Sequence, residues 1–455
     1  MRKIILALFA LAMVVGSQAQ VMIKVTNTTS VQRQELVACR AIDVFSQLGL
    51  KEGEAFCVKG PDGQVTESQL THDGQILFDA SVRPNSSVVY TIDRPETFLL
   101  EAKAEECMKL LEGTLCTPLS APYNRVWASG RLYPDRLDDI AWENDRGAYR
   151  IYGPAFEQSG AKGYGPDVWT KNTPEPDMDK RFRMDIDVKP TQKALEDAGY
   201  NNIAAKLVER NTFHKDHGTG YDAYAVGPTL GCGGNAVITA DTLLFPTCWR
   251  EYEILDNGPL RFKVKLRYDD VVVDGTTYKE YRIYSLDKGS NFNRIEVWYK
   301  AETDPLSLRH LPLYGENKMK KTKPKKDSVN SENSCKTNKT VQPLTIATGF
   351  PLHSPGESTL QMGEGFMQYA DPTDAMQQNS CELYIGCLFP HNNIQTQVRF
   401  GHALATLQLP AGEHFVYYAG SAWSKADVRN QQEWQCRIST VLNALRHPLT
   451  IDITK

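Results

Sequence analysis

Leu260-Arg-Phe-Lys-Val-Lys-Leu-Arg-Tyr268 alternates without a break. Phe262, Val264 and Leu266 fall on one side of an extended chain, and Arg261, Lys263, Lys265 and Arg267 on the other. Successive side chains of a strand point to opposite faces, so the pattern predicts an antiparallel strand with one face on a core and the other in water. The basic face reads as solvated surface rather than an anion site. Tyr278-Lys-Glu-Tyr-Arg-Ile-Tyr284 and Asn293-Arg-Ile-Glu-Val-Trp-Tyr299 repeat the pattern. Further strands are expected at 345–348, 397–402 and 415–419. Towards the N-terminus, Val21-Met-Ile-Lys-Val25 and Ser87-Val-Val-Tyr-Thr-Ile92 alternate too, among turns such as Pro61-Asp-Gly63. Helical spacing appears at 96–113, 190–210 and 427–445. The sequence therefore predicts a mainly β protein built on a large antiparallel sheet, with a few helices.

The chain has 455 residues, 41% hydrophobic and 23% charged, an ordinary globular composition with room for a large core. A formal charge of -4 argues against nucleic acid as a partner. Arg2 and Lys3 precede the apolar run Ile4 to Val15, followed by Gly16-Ser17-Gln18-Ala19. This reads as a secretory signal cut near Ala19 or Gln20, so the protein is expected to be exported, periplasmic or secreted, without stable membrane insertion. Export permits disulfides, for which Cys107/Cys116 and Cys381/Cys387 are close pairs. Cys232, in Gly231-Cys-Gly-Gly, reads as a small residue in a crowded turn. Six lysines between 318 and 326 open a polar stretch to Thr340 that reads as a flexible insertion.

The chemistry is concentrated elsewhere. Asn211 to Asn235 reads N-T-F-H-K-D-H-G-T-G-Y-D-A-Y-A-V-G-P-T-L-G-C-G-G-N. Its glycines permit close backbone approach, and its histidines, tyrosines and aspartates crowd into a few positions. A tight polar surface loop is the plainer alternative. Trp142, Asn144, Arg146 and Tyr152 flank a second charged, aromatic stretch, in which Ala148, Arg150 and Tyr152 share a face.

Asp138-Asp-Ile-Ala-Trp-Glu-Asn-Asp-Arg146, Tyr152-Gly-Pro154, Asp167-Val-Trp-Thr-Lys171, His214-Lys-Asp-His-Gly218, Gly231-Cys-Gly-Gly234 and Asn257-Gly-Pro-Leu-Arg261 occur in that order. In these strings the chain resembles the family known as domain of unknown function 4861, over nearly its whole mature length. The lysine-rich stretch is not among the matching pieces. The resemblance implies a galactose-mutarotase-like β-sandwich, also similar to polysaccharide lyases, in exported proteins of glycan-degrading bacteria. Members often accompany hydrolases of unsaturated uronyl sugars, which implies a uronate-bearing oligosaccharide as substrate. Three parts are then expected: a signal peptide over 1–19, a β-module with a helix over 20–120, and a catalytic sandwich over 121–455 with its insertion at 318–340.

Uronates are cleaved without water by β-elimination. The reaction needs a base for the C5 proton, an acid for the group leaving C4, and a clamp for the carboxylate. His214 and Tyr224 are candidates for base and acid, with Lys215 in reserve. Arg146, Lys171 and Asn144 are candidates for the clamp. Trp142, Tyr152 and Trp169 are candidate sugar platforms, and His402 a later residue for the same groove. A sugar leaving group makes the enzyme a lyase; hydroxide makes it a dehydratase. No cofactor is implied, and a metal held by His214, Asp216 and His217, or calcium on Asp138, Asp139 or Asp145, is the weaker reading. The alternatives are a non-catalytic carbohydrate-binding protein on aromatic platforms, and a sugar epimerase using a carboxylate base and a histidine acid.

Overall fold

The computed structural model describes residues 20–51, 53–95, 125–302, 342–372, 381–390 and 394–454. The signal-like segment, the helix expected over 96–113, the Cys107/Cys116 pair and the stretch 318–340 lie outside the described residues.

The deciding stretch forms the strand Arg261–Val273 in an eight-stranded antiparallel sheet. It pairs with Trp249–Asn257 on one side and Thr276–Asp287 on the other. Phe292–Glu302, His414–Trp423, Leu383–Leu388, Phe366–Asp371 and Gln361–Gly363 complete the sheet. Phe262, Val264 and Leu266 are wholly buried, as the alternation requires. The basic face is only half exposed, because neighbouring strands set carboxylates beside it: Arg261 on Asp287 at 2.6 Å and Arg267 on Glu251 at 3.0 Å.

A five-stranded sheet runs Leu243–Leu244, Gly234–Ile238, Leu344–Pro351, His402–Leu409, Gln395–Arg399. A four-stranded sheet runs Asp167–Trp169, Ala148–Ile151, Asp139–Glu143, Ser129–Tyr133. Side chains of all three sheets meet in one apolar core. Val264, Ile295 and Tyr417 come from the largest sheet, Val237 and Ile346 from the second, and Ile140, Trp142 and Val168 from the third. This is the mainly antiparallel β architecture that the alternation predicted.

The N-terminal strands form a unit with a core of its own, in which Val21, Ile23, Val25, Phe78 and Ile92 pack against the helix Ala41–Leu48. Its central strand Val21–Asn27 pairs with Ser86–Asp93 and, on its other edge, with Thr450–Thr454. The unit docks on the large sheet through His72, whose backbone N–H and ring both meet Asp256, at 2.8 and 2.9 Å. The helical spacing over 190–210 forms two helices, Lys189–Asp197 and Asn201–Asn211, parted where Gly199 takes a left-handed φ of +82°. The late helix Gln431–Arg446 starts at Asn430, whose side chain accepts from the Glu433 N–H at 2.9 Å, and buries Trp434, Ile438 and Leu442. Cys381 and Cys387 are free thiols, which corrects the disulfide expectation. Cys387 lies in an extended strand, and six extended residues span roughly 20 Å, too far for a disulfide. No helix among the described residues is long and apolar enough to cross a membrane.

Candidate active site

The site grows from one strand of the four-stranded sheet. In Ala148–Ile151 the side chains of Tyr149 and Ile151 enter the sandwich core, which turns Arg150 to the opposite face. There its guanidinium is almost completely buried, so it must be paired. Three aspartates supply the partners. Asp167, directly across in register, accepts from Arg150 Nη2 at 2.5 Å and from Nε at 3.0 Å. Asp222 Oδ2 lies 3.0 Å from Nη2, and Asp139 Oδ2 lies 3.6 Å from Nη1. Arg150 also donates to the Tyr152 hydroxyl at 3.1 Å, and Trp169 Nε1 donates to Asp167 at 3.1 Å.

The glycine-rich loop brings the remaining groups. Asp222 is pinned because its N–H donates to Phe213 O and because Trp169 bridges to it as a strand partner. Gly220, at φ +118°, passes so close to Thr170 that a Cβ would sit 2.0 Å from the Thr170 carbonyl oxygen. Only glycine fits there, and the approach presses the loop onto the Asp167 strand. His214 sets its Nδ1 3.4 Å from Asp222 Oδ2, with 59% of its side chain exposed.

These groups border a cleft of about 310 Å³, lined by Arg136, Asp139, Arg150, Tyr152, Phe156, His214, Asp222 and Tyr224 among others. Tyr152 stacks on Phe156 at 4.4 Å in one wall. Among the described residues, two lining groups have no hydrogen-bond partner. Tyr224 Oη is buried and unbonded, and so is Arg136 Nε. The Arg136 guanidinium lies over the Phe213 ring, 4.7 Å from its centroid, and among the described residues no carboxylate binds it.

Burial, then the neighbouring Asp222, pushes the Asp167 carboxyl up to about 7, against the pull of Arg150. Burial likewise raises Asp139 and Asp222 to about 6, again against Arg150. Desolvation, then the cations Arg150 and Arg136, lowers His214, so its imidazole is neutral at neutral pH with a lone pair on one ring nitrogen. Burial pushes the Tyr224 phenol well up, keeping it protonated. The cleft thus presents a neutral imidazole 3.4 Å from a carboxylate and a guanidinium in no ion pair among the described residues, with a protonated phenol whose hydroxyl is buried in its wall.

Tyr152, His214 and Tyr224 of the sequence candidates meet in this cleft. The others do not line it, which corrects the grouping expected from sequence. Trp142 is a core residue whose Nε1 donates to Asn293 at 2.7 Å. Asn144 fixes a turn: its amide donates to Asp287 O and Ser290 O, and its carbonyl accepts from the N–H groups of Arg146 and Gly147. Arg146 binds Asp427, which also holds Arg437 at 3.0 Å. Lys171 is spent in a buried pair with Glu143 at 2.6 Å. Trp169 is wholly buried beneath the cleft. Lys215 pairs with Glu209 at 2.7 Å on the surface. His402 donates from Nδ1 to Phe400 O at 2.6 Å and packs beside Leu230.

The metal reading loses its ligands in the same way. Asp216 accepts from Gly218 and Gly220 N–H groups and pairs with Lys425, while His217 Nε2 meets Thr212 O at 2.9 Å. Asp145 accepts from Gly289 N–H at 2.7 Å, away from Asp139. Among the described residues no group of three His, Cys, Asp or Glu is placed to hold a metal ion. Cys232 is buried, and burial pushes its thiol well up.

Arg136, Arg150, Asp167 and Asp222 were not singled out from sequence. Arg150 carried a signal: a charge inside Ala-Tyr-Arg-Ile, a strand otherwise fit for full burial, demands buried partners. Arg136 carried none.

The model of the domain of unknown function DUF4861 matches residues 25–309 and 315–451. The uncharacterized protein P7 of Formosa agariphila is 24% identical over 351 residues, 72% of this chain and 70% of that protein. Among solved structures, an alpha-mannosidase from Enterococcus faecalis aligns with a TM-score of 0.46 at 8% identity over 96% of this chain. A glycosyl hydrolase family 38 protein from the same organism gives 0.46 at 9% identity over 97%. The chain spans about half the length of these two, 46% and 48% respectively.

Proposed function

The chain belongs to the DUF4861 family, and from the cleft it builds we propose that the protein is a carbon–oxygen lyase acting by β-elimination on uronate-terminated oligosaccharides. The observation that carries this reading is the pairing, in one cleft, of this guanidinium with a histidine beside a carboxylate. Among the described residues Arg136 is held in no ion pair, although its charge is felt by Asp139 and Asp222, and its Nε is buried without a partner, as suits a clamp for an incoming carboxylate. It takes the role that sequence reasoning assigned to Arg146. Holding the uronate carboxylate stabilises the negative charge that develops when the C5 proton leaves.

His214, steadied by Asp222 at Nδ1, removes that proton through its other ring nitrogen. Tyr224 gives its hydroxyl proton to the oxygen leaving C4. Arg150 touches neither bond; it holds Asp139, Asp167 and Asp222 in one cluster and so fixes the carboxylate behind His214. The product carries a 4,5-unsaturated uronyl end. A departing sugar would make the enzyme a lyase in the narrow sense, and a departing hydroxide a dehydratase.

The test is to incubate the protein with a panel of uronate-terminated oligosaccharides and follow the ultraviolet absorbance of the unsaturated product. The expected result is turnover that falls by at least about 100-fold in H214A, as loss of a proton-transfer residue predicts. A substrate with its carboxylate reduced to the neutral alcohol should be inert. Equal reaction of that neutral sugar would overturn elimination and shift the chemistry to the carboxylates Asp139 and Asp222. Tight binding with no product on any uronate would leave a carbohydrate-binding protein instead.

A further inference from the structure

A second titratable assembly backs onto the cleft through Tyr224. Strand Phe366–Asp371 carries Tyr369 and Asp371 two residues apart, hence on one face. Both are buried. Asp371 Oδ2 lies 2.7 Å from His353 Nδ1, and the Tyr369 hydroxyl donates to the same oxygen. A carboxylate on Nδ1 keeps the proton there and leaves the lone pair on Nε2. Among the described residues nothing bonds Nε2, and 26% of the His353 side chain is exposed. The His353 ring meets the Tyr224 ring edge to face, with centroids 5.6 Å apart at 65°. Tyr224 in turn lines the cleft, with its Oη buried and unbonded.

A buried hydroxyl without a partner costs about 1–3 kcal/mol, so its retention in a cleft wall points to a partner that arrives. The substrate's leaving oxygen is one such partner. The His353 imidazole, whose ring packs edge to face on the Tyr224 ring, is the other. No role in the elimination step falls to His353 itself, since it does not line the cleft.

We propose that His353, fixed by Asp371, is the proton store that recharges Tyr224 after each turnover; the inference rests on the elimination reading. In the chemical step the C5 proton passes to His214, and the Tyr224 O–H bond breaks as its proton joins the oxygen leaving C4. Tyr224 is left as phenolate. Imidazolium at His353 then gives its Nε2 proton to that oxygen, and neutral His353 takes a proton from water. His214 returns its own proton to solvent. Charge and protons balance over the cycle, and nothing is oxidised or reduced.

The experiment has a substrate-free arm and a turnover arm. In the first, the full chain with ¹⁵N-labelled histidine is titrated by NMR as wild type and as Y224F, with D371N as a control for the tautomer. The His353 ring should show the Nδ1–H tautomer, lost in D371N, and its midpoint should move by about half a pH unit or more in Y224F, as for directly interacting groups. An unmoved midpoint overturns the proposal, whatever the protein acts on. In the second arm, H353A should lower kcat by about 10-fold or more with KM little changed, as expected of a lost proton donor. Imidazole added to the buffer should restore part of that loss. An unaffected kcat, or a loss that imidazole does not rescue, also overturns it. If no uronate reacts, the elimination reading fails, and the first arm still decides whether His353 and Tyr224 are coupled.

Discussion

Replacing Asp167 by Asn tests the cluster beneath the cleft through the pH dependence of stability. The folded protein holds the Asp167 carboxyl at about 7, chiefly by burial and the nearby Asp222. The unfolded chain returns it to the ordinary value of about 3.9. Between those two values the folded state binds the extra proton, so stability is highest below the lower one and is lost as pH rises through the higher. Over pH 5 to pH 7 one such proton is worth about 2 kcal/mol, at about 1.4 kcal/mol per pH unit with allowance for half-titration at the upper end. Asn keeps the shape and one oxygen for Arg150 and Trp169 but cannot titrate. It misplaces an amide against the Val168 N–H, which meets Asp167 Oδ1 at 2.8 Å, so the variant should also be less stable at every pH. The readout is therefore the slope and not the offset. Calorimetric melts at pH 5 and pH 7 should show the wild type losing about 2 kcal/mol, or about 2 °C in Tm, more than D167N. Asp139 and Asp222 titrate in both proteins and largely cancel. Equal slopes in the two proteins would refute the claim that Asp167 is held protonated by its surroundings.

Three further outcomes follow from the geometry. R136A should lower kcat/KM on a uronate substrate by about 100-fold, the worth of a charge-assisted pair near 3 kcal/mol, with R136K restoring only part; steady-state kinetics decide. R146A should leave kcat/KM unchanged and cost at most about 1 kcal/mol of stability, because its partner Asp427 keeps Arg437; a drop in turnover would return Arg146 to the site. G220A should destabilise by at least about 2 kcal/mol in thermal melts, since φ is +118° and the new Cβ would lie 2.0 Å from Thr170 O; a wild-type Tm would refute the tight crossing.

The β architecture was legible because alternation is a local code. Leu260 to Tyr268 states its own two faces, and the structure buries the apolar one. The loop at 211–235 was legible as a candidate site because glycine, histidine and aspartate are dense there. Partner choice was not legible. Asn144, Arg146 and Lys171 look like a carboxylate clamp in a row of residues. Each of the three, however, is engaged by an acceptor distant in sequence, Asp287 for Asn144, Asp427 for Arg146 and Glu143 for Lys171, which only the folded chain brings beside it. Arg136 follows the strand Ser129–Tyr133 in a short helical turn, and its place beside His214 exists only once residues about eighty apart are packed together. The His353–Asp371 pair was invisible for the same reason, since the segment after Leu344–Pro351 and the end of Phe366–Asp371 belong to different sheets and must be packed together before the histidine has its carboxylate.

The pairing of Val21–Asn27 with Thr450–Thr454 has a consequence for how the chain is made. At about 5–20 residues per second, the ribosome delivers the closing strand roughly 20–90 s after the first one has emerged. Through that interval the strand Val21–Asn27 has Ser86–Asp93 on one edge and an open row of N–H and C=O groups on the other. Open edges recruit other chains. The nascent protein is therefore most prone to mispairing during synthesis rather than after it, and whatever escorts it must cover that edge until Thr450–Thr454 arrives.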